Sequence, residues 1–174
     1  MSRKFCIAVR SVGLVVMSLM LPMAVQAAET KSLGEFGVWR AYSYAEKDGK
    51  VCYASAGADR LVGGDKGRKP TYLSVTHRPG SSGEVSITAP WGFKKDSDVE
   101  LQVGGMKTNF FTKGDAAWTK QAGADKAVIS ALAKGDNVVV HATPAHASAV
   151  TDTISLGGFS HALAAIDREC GVKR

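Results

Sequence analysis

Apolar and polar residues alternate through most of this sequence in short runs, and glycine-containing turns separate those runs. Alternation with a period of two puts one set of side chains on a buried face and the other in water. That is the pattern of a half-buried strand, and a helix of 3.6 residues per turn cannot satisfy it. The clearest hairpin is 98–103 with 106–112, turning at Gly104-Gly105, where both glycines are expected to supply the positive φ of a two-residue turn. Residues 36–44 set Phe36, Val38, Arg40, Tyr42 and Tyr44 against Gly37, Trp39, Ala41 and Ser43, with Trp39 read as a packing aromatic. An Asp48-Gly49 turn follows, and 51–55 runs back. Residues 71–77 and 84–89 flank a Pro79-Gly80 turn, and 137–142 reads as a buried strand. Residues 57–70, polar and rich in glycine, read as a surface loop.

The closing segment combines both periodicities. Val150, Asp152, Ile154 and Leu156 alternate with Thr151, Thr153 and Ser155 until Gly157-Gly158 ends the strand. Phe159, Leu163 and Ile166 then recur at helical spacing beside Ala162 and Ala165, with Cys170 one turn further. An earlier short helix is expected over 125–134, with Val128, Ala131 and Leu132 on one face and Asp125 at its positive end. About eight short strands and two short helices, one of them C-terminal, predict an all-β fold. Its expected form is mainly an antiparallel β-sandwich or a barrel-like sheet.

The first residues read as an address. Arg3, Lys4 and Arg10 precede an apolar run over 13–24, and Val25-Gln26-Ala27 presents small residues where a signal peptidase cuts. The run is shorter than the roughly 20 residues that span about 30 Å of hydrocarbon. A secretory signal over 1–27, cleaved after Ala27, predicts a periplasmic or secreted chain with one domain over 28–174. Cys6 leaves with the leader, and Cys52 and Cys170 remain as an even pair in an oxidising compartment, so they are expected to form a disulfide. In the chain-entropy model, closing a loop of about 100 residues is worth up to roughly 4.7 kcal/mol. The leader holds three basic and no acidic residues, so the formal charge falls from +6 to +3. A balance that small does not point to nucleic acid.

No catalytic, cofactor or metal site emerges. His141 and His146 sit five apart across a proline, which does not converge three or four ligands. Ser155, His161 and Asp152 could be written as a triad, but no nucleophile elbow exposes the serine. Arg78 and Asp152 read as structural polar groups that could pair. Partner contact is expected at Trp91, set between proline and glycine, at Phe93, and at the basic loop residues Arg60, Arg68 and Lys69. A non-catalytic envelope or secreted module that binds a protein or glycan fits these features. A small-ligand or metal binder, or an envelope hydrolase, is the alternative.

Residues 51–53 (VCY), 75–79 (VTHRP), 84–86, 110–112 with Gly114-Asp115 and Ala117-Trp118, 151–153 (TDT), Ser155-Leu156, Gly158-Phe159, Ile166 and Cys170 can be taken together. On these the chain resembles the invasion-associated locus B family of alphaproteobacterial secreted proteins. It departs from the family pattern in two loops, 90–92 and 144–148. The resemblance implies an all-β secreted domain, periplasmic or on the outer envelope, associated in some members with host-cell invasion. No catalytic reaction comes with it.

Overall fold

A computed structural model describes residues 29–121 and 123–174, so the expected signal peptide lies outside the described residues. The chain forms β1 (Lys31–Phe36), β2 (Trp39–Glu46), β3 (Gly49–Gly57), β4 (Arg60–Gly63), β5 (Tyr72–Arg78) and β6 (Ser81–Thr88). It continues with β7 (Asp98–Val103), β8 (Met106–Lys113), β9 (Ala116–Thr119) and helix α1 (Ala124–Leu132). β10 (Asn137–Ala142), β11 (Val150–Ser155) and helix α2 (Phe159–Cys170) complete it. Every pairing is antiparallel, and the strands share one sheet in the order β1-β2-β3-β5-β6-β9-β8-β7-β10-β11-β4. Among the described residues the fold is all-β with two helices, one of them C-terminal.

The order forces the sheet to curl. β4 is the last strand of the sheet, yet only Ala58 and Asp59 separate it from β3, the third. The three Cα–Cα steps from Gly57 to Arg60 reach at most about 11 Å, so the β4–β11 end must come round to β3. Two backbone bonds mark the closure: Ala58 N–H donates to Thr71 O at 2.9 Å and Asp59 N–H to Thr153 O at 3.0 Å. The inward residues of the curled sheet share one core, which includes Leu73, Val75, Ile87, Leu101, Val140 and Ile154. By area alone, each fully buried large apolar side chain of this kind contributes about 1.5–3 kcal/mol.

Three strands exceed the sequence expectation. The run 36–44 is two strands, because Gly37 (φ +61°) turns the chain between β1 and β2. The alternation holds from Trp39 onward: Trp39, Ala41 and Ser43 are buried, and Arg40 and Tyr42 point away from them. The expected surface loop 57–70 contains β4, which pairs Leu61 with Asp152. β9 is only four residues long. At the β7–β8 turn only Gly104 takes a positive φ (+56°), so the turn uses one left-handed residue rather than two.

Gly157-Gly158 does more than end β11. Gly158 (φ +93°) opens α2 and lies against the β1–β2 turn so closely that a Cβ there would be 2.0 Å from Phe36 O. α2 then buries Phe159, Ala162, Leu163 and Ile166, with Phe159 edge-on to Trp39 at 4.8 Å. Trp39 donates its indole N–H to Ser155 O at 3.0 Å, which joins β2 to β11 across the curl. At the far end of α2, Cys170 is bonded to the fully buried Cys52 of β3, with Cα atoms 6.1 Å apart. No helix among the described residues is long and apolar enough to cross a membrane.

Candidate binding surfaces

Two regions of the curled sheet gather polar and aromatic side chains. At the closure, Asp152 projects inward between Val150 and Ile154 and is completely buried. A carboxylate at an apolar position needs hydrogen-bonded partners, since an unpaired buried charge is too costly to keep. Arg68 supplies them. Its Nη1 donates to Asp152 Oδ2 at 3.0 Å, its Nη2 donates to Oδ1, and the arginine side chain is only 7 % exposed. Thr71 adds its backbone N–H and its hydroxyl to Oδ2, each at 3.0 Å. Arg68 also donates to the carbonyls of Gly63 and Val62. The loop between β4 and β5 is thus folded back on β11 by one guanidinium.

This geometry corrects two expectations. Asp152 pairs with Arg68 and not with Arg78, because the curl sets the β4–β5 loop, rather than the end of β5, over β11. Arg78 lies exposed and bonds Glu46 Oε1 at 3.1 Å. Arg68 is consumed in the fold and has no free guanidinium for a partner.

The structure does bring Trp91 to the basic loop, since its indole N–H donates to Lys69 O at 3.0 Å. Its ring stands edge-on to Phe93 at 5.3 Å. Phe93, however, is only 6 % exposed and bridges to Pro144, so it is a core residue rather than an exposed anchor. Trp91 is half-buried, Lys69 is exposed, and Arg60 is exposed on β4 with Nη2 3.5 Å from Thr153 Oγ1.

The residues of the hypothetical triad are otherwise engaged. Ser155 Oγ accepts from Gly157 N–H, His161 stacks on Phe36, and the Asp152 oxygens are taken. Among the described residues no three His, Cys, Asp or Glu side chains could hold a metal ion. No buried side-chain polar atom among them lacks a hydrogen-bond partner.

The second region is the outer face of β2, β3, β5, β6, β9 and β8. One cross-strand row carries Arg40, Ser55, Ser74, Ser86, Trp118 and Phe111 in register. The next row carries Tyr42, Tyr53, Thr76 and Glu84. At one side Tyr53 stacks with Tyr42 at 5.4 Å and meets Tyr44 edge-on at 6.2 Å. At the other Phe111 and Trp118 lie 5.7 Å apart, with Phe111 45 % exposed. Between them runs a strip of hydroxyls, in which Ser74 donates to Ser55 at 2.9 Å. Three strand steps from β3 to β9 set the two aromatic banks about 14 Å apart.

Two recesses open on this face. One of about 270 Å³ lies over Tyr44, Tyr53, Ser74 and Arg78, and one of about 420 Å³ over Glu84, Phe111, Trp118 and Lys120. Partial burial, then the neighbouring Tyr42 and Tyr44, raises the pKa of Tyr53, so its phenol stays a hydrogen-bond donor into more alkaline water than a free tyrosine does. Sequence alone identified these strands except β9, and not this surface. The signal was present in Phe110-Phe111: adjacent residues of a strand face opposite sides, so one phenylalanine must be outside.

Residues 39–167 match the sequence model of the family described as invasion associated locus B (IalB) protein. The fold resembles the crystal structure of invasion associated protein B from Bartonella henselae, at 21 % identity and a TM-score of 0.56. That alignment covers 84 % of this chain and 99 % of the other. No curated protein matches the chain.

Proposed function

The chain belongs to the invasion-associated locus B family, and we propose that it is a non-catalytic, extracytoplasmic binding module whose partner is a glycan of the envelope or of a host surface. A role in host interaction or envelope integrity follows from such a partner. The reading rests on one observation: two aromatic banks face outward on either side of the Ser55, Ser74 and Ser86 hydroxyls.

A sugar ring has an apolar face of C–H groups and an edge of hydroxyls. Aromatic side chains offer an apolar face to cover the first, and serine hydroxyls both donate to and accept from the second. Banks about 14 Å apart suit an oligosaccharide better than a single sugar. A protein partner would be expected to meet a more apolar centre than this hydroxyl strip. Trp91 and Lys69, at the loop end, extend the proposed partner surface.

An extracytoplasmic location is supported by the Cys52–Cys170 disulfide and by the leader features of residues 1–27. N-terminal sequencing of the exported protein tests the leader, and residue 28 should be the first found. Screening the oxidised protein against immobilised envelope and host oligosaccharides tests the binding role.

A further inference from the structure

Beside α1, a half-open recess of about 490 Å³ lies between that helix, the start of β6, α2 and the segment after it. α1 offers it Lys126, Ile129, Ser130 and Ala133, which recur at the spacing of one helix face. Ile129, Leu163 and Val172 give it an apolar lining.

Its side-chain charge is of one sign. Lys126, Lys173 and Arg174 line it, and no Asp or Glu side chain does. Arg174 is already partnered, since its Nε donates to Asp167 Oδ2 at 2.8 Å. Lys126 and Lys173 are exposed, and neither takes part in a salt bridge among the described residues.

Two uncompensated ammonium groups over an apolar lining set the chemistry of an occupant. A small polar anion would satisfy the lysines and leave the apolar wall in water. A neutral hydrocarbon would cover the wall and leave the lysines without a counter-charge. We propose that this recess binds a single-chain amphiphile with an anionic head, carboxylate or phosphate, its head at Lys126 and Lys173 and its chain along Ile129, Leu163 and Val172. The site is separate from the outer aromatic face and does not depend on it.

Isothermal titration of the full-length oxidised protein with decanoate, decyl phosphate, decanol and inorganic phosphate, all below micellar concentrations, tests this. Decanoate or decyl phosphate should bind one to one, and decanol and inorganic phosphate at least about tenfold more weakly; which head group binds better identifies the class. The exposed pair Lys126→Glu with Lys173→Glu should weaken binding by at least about tenfold at an unchanged melting temperature. Ala133→Trp, which fills the recess, should abolish binding, and Trp118→Ala should leave it unchanged. No binding of either anionic amphiphile would overturn the proposal. So would decanol binding as tightly as decanoate, or undiminished affinity in both the charge-reversed and the Ala133→Trp proteins.

Discussion

Asp152 of β11 and Arg68 of the β4–β5 loop, 84 residues apart in sequence, form a buried ion pair at the point where the sheet closes on itself. The pair is fully hydrogen-bonded, with Thr71 taking the remaining capacity of Oδ2. Removing one partner leaves the other charged and buried, a loss of about 3–5 kcal/mol. Arg68→Met and Asp152→Ala should each cost that much in denaturant unfolding. Arg68→Met combined with Asp152→Leu should recover a large part of it, because apolar replacement of both partners removes the stranded charge. Arg78→Ala, at an exposed pair with Glu46, should cost at most about 1 kcal/mol.

His77 carries a pH dependence of a definite sign. Its ring is buried, its Nδ1 accepts from Gly83 N–H at 2.9 Å, and its Nε2 therefore bears the proton donated to Asp167 at 2.8 Å. Burial lowers its pKa and nearby Arg174 lowers it further; the hydrogen bond and charge of Asp167 oppose them without winning. The unfolded chain thus binds a proton at a higher pH than the native one. Stability should fall as pH drops through the unfolded histidine value of about 6.5 and level off below the folded value. Unfolding free energies across that range should show this slope in the native sequence and lose it in His77→Gln. An identical slope in both would contradict the assignment.

The Cys52–Cys170 bond closes a span of 118 residues. Because both sulfurs are held in that bond, thiol reagents should find no free cysteine in the native protein once residues 1–27, with Cys6, are removed. Cys170→Ser should lower stability by up to about 4–5 kcal/mol, the chain-entropy ceiling for a loop of that order.

At Gly158 the backbone has φ +93°, and a Cβ would meet Phe36 O at 2.0 Å. Gly158→Ala combines left-handed strain with a backbone collision, so a loss of at least about 1–3 kcal/mol is expected in thermal or denaturant melts. Gly171→Ala is the control: it has φ +68° but meets nothing within 4 Å, so it carries the strain alone.

Much of the fold was legible because period two and period 3.6 are local signals. The strands from β5 to β8, β10, β11 and helix α2 can all be read from neighbouring residues. The closure cannot. Asp152 announces itself as a carboxylate in an inward-facing register, yet nothing local says whether Arg60, Arg68 or Arg78 will reach it; that depends on which loop the curl lays over β11. β4 was hidden for the same reason, since Arg60–Gly63 has no buried residue and is a strand only by pairing with β11. Phe93 reads locally as an exposed anchor, but its segment bridges to Pro144, fifty-one residues later, and its ring joins the common core. The outer aromatic face is likewise a property of register across six strands, and only the assembled sheet puts Tyr53 and Trp118 on one surface.

The most direct test of the account is a titration of soluble peptidoglycan, lipopolysaccharide-core and host-surface oligosaccharides into the oxidised protein, its Tyr53→Ala variant and its Trp118→Ala variant. The account predicts that at least one oligosaccharide binds the native protein and that each variant weakens it by about tenfold or more while remaining folded. Absence of binding by every class, or undiminished affinity when both aromatic banks are truncated, would contradict it.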